Sequence, residues 1–405
     1  MNNVLSEILL LQRRDELGAA ELLLREFVAA RFALEIAAVQ LTPRATSLNS
    51  VNGTLVLRGG QRLFFKTHIE EQGTIDEYYN VELLQRAGYP ALAPRFAATE
   101  AGQQILLYPE VRWPTLFDLV QSIESGAPAV DPGQLLDLLG QADDQLLAIY
   151  RSTFEPCADQ RAAPVHQLFW HRLFARLDTF YGGQQLQLAD RRLAFEELCA
   201  RRWVINGRRY PATLGALIER ARALLDPAAV GPASVVGHGD AHNGNLFVDV
   251  VDGRPRALCY FDPAFAGRHD PLLDLAKPLF HNIFARWMYI PADVAAEIAV
   301  DVTITASEIV VDHSFRISPF RAAVLQSKLR RILAPLLDDL RAQGMLRPDW
   351  EAFLRAALLC CPLLTKDIRR YPPAIQPLAL AMAIAMASAP ETGEDWLRAG
   401  LGSSL

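Results

Sequence analysis

Residues 234–248 read SVVGHGDAHNGNLFV. Between two runs of strand-forming residues, His238 to Asn245 bring together two histidines, one aspartate, two asparagines and two glycines. Asp240 and Asn245 stand five residues apart, close enough on a loop for a carboxylate and a carboxamide to face one point. Seventeen residues further on, Asp262 follows the apolar run ALCYF and precedes Pro263, a strand-end carboxylate with both oxygens turned outward. Oxygen donors in this pattern suit a hard cation: Mg²⁺ takes oxygen ligands and fills its shell with waters and substrate phosphates. The two histidines leave a transition metal as the alternative, although in a glycine-broken loop they do not share a helix face.

The surrounding chain supplies partners for that loop. Residues 1–35 carry helical periodicity, as in AAELLLREFVAARFAL. AAVQLTP, NGTLVLR and RLFFKTH then predict three strands, with Gly59-Gly60 as a tight hairpin between the second and third. IDEYYNVELLQRAGY predicts a helix with Val81, Leu84 and Ala87 at helical spacing and Gly88 at its C-terminus. QQILLYPEV, 103–111, predicts another strand, running into a connector near 109–114. From residue 132 the pattern is mostly helical, interrupted by the strands around the polar loop. The order predicts an α+β chain with a β-rich N-terminal lobe over 1–111 and a large helical C-terminal lobe over 112–405 that holds the loop.

The order HGDxHxxN followed by a strand-terminal Asp resembles the catalytic region of the aminoglycoside phosphotransferase-like kinases. That group includes choline, homoserine and fructosamine kinases and shares its core with protein kinases. The resemblance implies a protein-kinase-like two-lobed fold and an ATP-dependent phosphotransferase. The γ-phosphoryl group would pass to a hydroxyl of a small molecule: an aminoglycoside, amino alcohol, sugar or similar. It implies ATP and Mg²⁺ as cofactors, Asp240 as the residue that accepts or orients the hydroxyl proton, and Asn245 and Asp262 as metal ligands. It also implies a lysine on the third strand, here Lys66, paired with an acid on the next helix, for which it favours Glu77 over Glu82. The connector would hold the adenine through backbone groups of Tyr108 to Val111. Neither GxGxxG nor GxxxxGK[ST] is present. RATSLNSVNGT, 44–54, offers Ser47, Asn49, Ser50 and amides near Asn52-Gly53 as a phosphate cradle, or is a plain hairpin loop. Arg44 reads equally as a phosphate contact or a surface residue. Downstream, GRHDPLLDLAK continues the resemblance, with His269 where the family often has glycine. Asp270 before Pro271 reads as a helix N-cap, and Asp274 matches an Asp that in this fold class braces the catalytic loop from below. His238 reads as a packed, loop-holding residue, and His242 as either a phosphate or substrate contact or a structural one.

Bulk properties exclude several classes. A chain of 405 residues, 51% hydrophobic and 21% charged, is globular and long enough for more than one lobe. A net charge of −6 without a dense basic stripe argues against nucleic acid as a partner. Five cysteines with no CxxC pair argue against a disulfide framework or zinc site and fit a cytoplasmic location. MNNVLSEILLLQRRDELG does not read as a signal peptide. IQPLALAMAIAMASAP reads as a buried helix and not a membrane span, so no membrane partner is expected. The expected partners are a nucleotide and a small hydroxylated substrate. TASEIVVD, 305–312, is expected to set Glu308 and Asp312 on one helical face, a lure for a cationic acceptor or a solvated surface. Trp170, Phe174, Trp287 and Tyr289 read as core or as pocket lining. The missing A-P-E run after Asp262 argues against a protein substrate. Two other classes stand beside the kinase. A catalytically inactive kinase-like binding protein has the intact set Lys66, Asp240, Asn245 and Asp262 against it. A metal-dependent hydrolase using the His/Asp loop leaves Lys66 and Glu77 without a purpose.

Overall fold

The computed structural model describes residues 4–42, 51–67, 77–100, 102–157, 160–229 and 231–401, without the side chains of Arg13, Glu77, Tyr78 and Tyr79. Its internal contacts divide the chain into two units. One comprises residues 1–86, 90–113 and 259–264, the other residues 87–89, 114–258 and 265–405.

The first unit is built on a five-stranded sheet. Helices α1 (Val4–Arg13) and α2 (Leu17–Phe32) precede β1 (Ile36–Leu41), β2 (Asn52–Leu57) and β3 (Arg62–Thr67). Helix α3 (Glu77–Ala87), β4 (Phe96–Ala98) and β5 (Ile105–Pro109) follow, and the sheet order is β1-β2-β3-β5-β4, antiparallel throughout. Burial on β3 alternates with a period of two, which puts Leu63 and Phe65 on the inner face and Lys66 on the other. The inner face packs on the apolar stripes of the two leading helices, where Leu5, Ile8, Leu24 and Val28 are buried. The β2–β3 hairpin closes through Leu57 N–H donating to the Gln61 carbonyl at 2.8 Å, with Gly60 at φ +80°, a conformation glycine adopts without steric cost. Asn52 and Gly53, weighed above as phosphate-cradling amides, are strand residues instead. A Cβ on Gly53 would collide with the Gln40 carbonyl oxygen, so β1 and β2 approach as they do because that residue has no side chain.

The second unit is mainly helical. It begins with α4 (Leu116–Glu124), opened by a capping box in which Thr115 and Asp118 satisfy each other's backbone amides, and α5 (Pro132–Thr153), capped by Asp131. The short β6 (Glu155–Pro156) precedes α6 (Pro164–His171), which passes through a π-helical turn at Arg172–Arg176 into α7 (Leu177–Tyr181). Hairpin β7 (Gln185–Leu188) and β8 (Arg191–Ala194), α8 (Phe195–Ala200), β9 (Arg202–Ile205), β10 (Arg208–Arg209) and α9 (Leu214–Leu224) follow. Strand β11 (Ala233–Gly237) enters the polar loop, and hairpin β12 (Leu246–Val251) and β13 (Arg254–Tyr260) leave it. Strand β14 (Gly267–His269) pairs back onto β11 before α10 (Pro271–His281), α11 (Arg286–Tyr289) and α12 (Pro291–Glu297). After β15 (Val300–Ile304) and β16 (Glu308–His313) come α13 (Pro319–Ser327), α14 (Ala334–Ala342), α15 (Trp350–Leu364), α16 (Ile375–Ala387) and α17 (Trp396–Leu401). Helices α10, α15 and α16 form the centre of this unit. Every residue of α10 is buried, and α15 is buried from Phe353 to Leu364, including the free thiols Cys360 and Cys361. The all-round apolar α16 is a core helix, as expected from its sequence. Among the described residues, no helix is long and apolar enough to cross a membrane.

One expectation fails here. Glu308 and Asp312 do not share a helical face; they lie on β16 of a second sheet, ordered β10-β9-β16-β15. The β-branched run Ile309-Val310-Val311 decides it: Ile309 and Val311 are fully buried while their neighbours are not, a period of two that a helix does not fit. Glu308 is spent on an ion pair with Arg209 at 2.8 Å.

Candidate active site

In the second unit, β11 is buried along its whole length and delivers the chain to His238. The two glycines beside His238 have separate physical reasons. A Cβ on Gly237 would stand 2.6 Å from the Asp274 carboxyl carbon, so the brace beneath the loop needs that space. Gly239 has φ +72°, and a Cβ there would strike the Phe265 carbonyl oxygen, so it needs both the conformation and the room. Asp274, on the first turn of α10, accepts from the Gly239 amide, from the Tyr150 hydroxyl and from His269 Nε2 at 3.1 Å. Burial pushes its carboxyl up, but these donors outweigh burial and hold it below the usual range. Asp274 therefore braces the loop as the resemblance implies, and His269, in place of the family's glycine, is one of its donors. Asp270 caps α10 by accepting from the Leu272 amide at 2.9 Å, and burial pushes its carboxyl up to about 6.

Asp240 is held from several sides. The Lys277 ammonium, from α10, lies 2.8 Å from its Oδ1, and His242 Nε2 lies 3.8 Å away. Burial pushes the Asp240 carboxyl up, but Lys277 and then His242 overcome this and set it well below the usual carboxylate range. Burial draws Lys277 down against the pull of Asp240, and its ammonium sits 4.5 Å from the centre of the Phe265 ring. Residues Asn243–Asn245 form a 3₁₀ turn capped by His242, whose Nδ1 accepts from the Gly244 amide at 3.1 Å. His238 Nδ1 accepts from the Asp240 amide at 3.3 Å. Both histidines thus spend a ring nitrogen on the loop itself, and among the described residues no three His, Cys, Asp or Glu side chains converge as a metal cage. Asn245 donates its carboxamide nitrogen to the Asp240 carbonyl at 3.0 Å, which turns its oxygen, the opposite prong, away from that bond. Asn282, just past α10, fastens the loop by accepting from the Asn243 amide at 2.7 Å.

In the first unit, Lys66 on β3 forms an ion pair with Asp262. Asp262 adopts φ +57°, a left-handed conformation that costs an L-residue about 1–2 kcal/mol and marks a position over-determined by its surroundings. Those surroundings are visible. Tyr260 exchanges backbone bonds with Pro90 and Leu92 at 2.8 and 2.9 Å, and the Phe261 ring packs between Phe64 and Tyr108 at 5.9 and 5.1 Å. At the end of β5, Glu110 N–H donates to Arg62 on the β3 side, whereas the Leu107 carbonyl accepts from Arg95 on the β4 side. By strand alternation Tyr108 turns its peptide groups to β3. The Pro109 carbonyl, and after it Val111, fall on the other side, where the β4 ladder ends at Leu107.

The structure therefore brings Asp240 and Asn245 together in one unit, and Lys66 and Asp262 in the other. Glu77 opens α3, with its side chain outside the described residues, as are Arg44, Ser47, Asn49 and Ser50. Trp287 is core; the Trp170 and Phe174 rings meet at a tilt with centroids 3.9 Å apart and Phe174 exposed; Tyr289 bonds His281 Nδ1 at 3.0 Å. Sequence reasoning missed Lys277, Tyr150 and Asn282. Only Lys277 left a trace: it is the one cation in LLDLAKPLF, an otherwise apolar run apart from Asp274 one helical turn before it.

The phosphotransferase enzyme family APH matches residues 76–297, more than half of the chain. No curated protein matches it. Among solved structures it is similar to the amicoumacin kinase hAmiN, in complex with AMP-PNP, Ca²⁺ and Ami, at 13% identity, over 89% of this chain and 92% of that one, with a TM-score of 0.48. It is also similar to the aminoglycoside phosphotransferase APH(4)-Ia in ternary complex with AMP-PNP and hygromycin B, at 13% identity, covering 90% and 97% of the two chains, TM-score 0.45. A third is a fructosamine-3-kinase-like protein of Thermobifida fusca, at 16% identity, covering 89% and 98%, TM-score 0.41. The family match runs from the start of α3 through the Asp240 loop, Asp262 and α10. With that span matched, the chain belongs to the phosphotransferase enzyme family.

Proposed function

We propose that the protein transfers the γ-phosphoryl group of ATP, with Mg²⁺, to a hydroxyl of a small molecule. The observation that carries this reading is Asp240. In a chain of this family it is an ionised carboxylate, fixed by Lys277 and by a loop braced on Asp274. Asn245 and Asp262 supply the hard oxygen donors that Mg²⁺ takes, and the engaged amide of Asn245 is consistent with its oxygen serving as a ligand. The metal when bound neutralises charge on the phosphates. In this reading Lys66 meets the α- and β-phosphates with Glu77 as its helix partner, and the loop holding Ser47 and Asn49 covers the phosphates. Backbone groups over Tyr108 to Val111 take the adenine edge. Strand alternation makes the Pro109 carbonyl and the Val111 N–H the groups for that task, since Tyr108 gives its own to β3.

Asp240 accepts a hydrogen bond from the acceptor hydroxyl and aims its lone pair at phosphorus. The new O–P bond forms as the bond to the bridging oxygen of the leaving diphosphate breaks, and the hydroxyl proton passes to Asp240. A carboxylate held below its usual range is a weak base, which suits a loose transition state in which the proton leaves late. Calorimetric titration of ATP into wild type and Asp262→Ala, with and without Mg²⁺, tests the reading. Magnesium-dependent binding that the substitution abolishes, with Asp240→Asn binding ATP but transferring nothing, is the expected result. A folded wild type that binds neither ATP nor GTP would overturn it. Nucleotide binding without transfer to any hydroxyl compound would leave a kinase-like binding protein.

A further inference from the structure

In the second unit, β9 and β10, the chain just past β16, α16 and the start of α17 enclose a cleft of about 430 Å³, with Phe284 on its wall. That size falls in the range of small-molecule sites, about 300–1,000 Å³. Asp240, Asn245 and Lys277 do not line it. Arg316, α16 and Trp396 lie beyond residue 297, where the family match ends.

One side of the cleft is a face of α16. Ala381 and Ala385 stand one turn apart, as do Met382 and Met386, so small side chains leave room beside two thioethers. The Phe284 and Trp396 rings meet edge to face, with centroids 5.2 Å apart. Methionine and aromatic side chains together suit a flat apolar body, because the thioether adapts to a ring's outline and packs at its edge.

The polar groups of the cleft are mainly donors. Trp396 Nε1 is buried and has no hydrogen-bond partner. A buried donor left unmet is costly, so it calls for an acceptor. Tyr210 is 6% exposed, and its hydroxyl bonds no described residue. Burial, and then Asp395, push that phenol up, so it stays protonated and able to donate. Arg208 Nη1 donates to the Glu394 carbonyl at 2.6 Å, and Arg316 Nη1 to the Phe315 carbonyl at 2.8 Å. Neither guanidinium has a carboxylate of the described residues within ion-pairing distance, and Asp395, the buried acid of the cleft, pairs with Arg355 instead. Glu394, the other acid, is exposed to solvent. Two unpaired cations against one unpaired acid leave the cleft net positive.

We propose that this cleft binds a small aromatic carboxylate. Its ring lies on Met382, Met386 and Phe284. Its carboxylate is drawn by Arg208 and Arg316 and accepts from Trp396 Nε1 and the Tyr210 hydroxyl. The site is separate from that of phosphoryl transfer and does not depend on that reading.

The test titrates 2-naphthoate, its neutral amide 2-naphthamide and the cation 2-naphthylmethylamine into the full chain at constant ionic strength, followed by calorimetry. The expected result is saturable binding of the carboxylate at one site per chain, about tenfold weaker binding of the amide and none of the amine. Trp396→Phe keeps the ring and loses the N–H, and Tyr210→Phe loses only the hydroxyl. Each should weaken naphthoate at least about tenfold, the usual loss for one hydrogen bond to a charged acceptor. Ala385→Phe, which fills the cleft, should abolish binding. Thermal melting checks that each variant is folded. Should a donor variant fail to fold, Arg316→Met on the exposed rim gives the reading, with naphthoate weakened and naphthamide unchanged. No saturable binding of naphthoate, equal binding of the amide, naphthoate binding unmoved by these substitutions, or competition by AMP-PNP with Mg²⁺ would each overturn the proposal.

Discussion

Asp274→Asn and Tyr150→Phe, made singly and together, probe the brace beneath the catalytic loop. Asp274 is 3% exposed and accepts from three donors: the Gly239 amide, His269 Nε2 and the Tyr150 hydroxyl. Tyr150→Phe removes one hydrogen bond to a charged acceptor, worth about 1.5–3 kcal/mol. Asp274→Asn keeps the shape but loses the charge and turns an NH₂ group toward one of the donors, at a cost of about 3–5 kcal/mol. Because the asparagine no longer receives the tyrosine as the carboxylate does, the two costs are not additive. The double variant should lose about 1–2 kcal/mol less than the sum. Urea unfolding at pH 7, followed by circular dichroism and compared at equal slope, measures all three. Phosphoryl transfer by the folded variants should fall in kcat more than in the KM for ATP, since the loop they loosen carries Asp240. A Tyr150→Phe variant within about 0.5 kcal/mol of wild type, with additive costs in the double variant, would refute the brace.

Further outcomes follow from other contacts. Gly239→Ala, strained at φ +72° and blocked by the Phe265 carbonyl, should lose transfer activity and cost more than about 2 kcal/mol by thermal melting. Gly183→Ala, at φ +63° in open space, should cost only about 1 kcal/mol in the same melts. His166 is buried and its ring is lowered to about 3 by burial, so the folded state keeps it neutral while the unfolded chain takes up a proton below 6.5. Its share of stability is therefore whole above pH 6.5 and declines as pH falls toward 3, by about 2 kcal/mol at pH 5. His281, also lowered by burial, acts in the same sense, and Asp270, raised by burial, acts in the opposite one. Stability of His166→Asn should accordingly change less between pH 7 and pH 5 than that of wild type. Arg355→Met, which strands the buried Asp395, should cost about 3–5 kcal/mol in urea unfolding.

The parts of this protein legible in its sequence are those where local chemistry and element order coincide. The loop from His238 to Asn245 could be read because its glycines, acid and amide stand between two strands. Lys66 gained meaning from its place after a Gly-Gly hairpin. The second sheet was misread because Glu308 and Asp312 are compatible with helical spacing. The discriminating signal, three β-branched or aliphatic residues alternating in burial, needs the pairing of β16 with both β9 and β15 to prevail. Lys277 and Arg172 were harder to find. Long cations normally mark solvated faces, and only the three-dimensional neighbourhood shows that these two are buried. Tyr150 and Asp274 are 124 residues apart, a partnership no local pattern announces.

The adjacent thiols at the end of α15 give this protein a built-in clock. Cys360 and Cys361 lie fully buried, each turned toward the carbonyl four residues before it, and burial pushes the Cys361 thiol up to about 11 and that of Cys360 higher. An alkylating reagent near neutral pH meets neither a thiolate nor an open path until α15 leaves its neighbours α10 and α16. The rate at which these two positions acquire label therefore counts openings of the central helices, in the unmodified protein and in the absence of denaturant. A ligand that stabilises this core should slow that count in proportion to its occupancy.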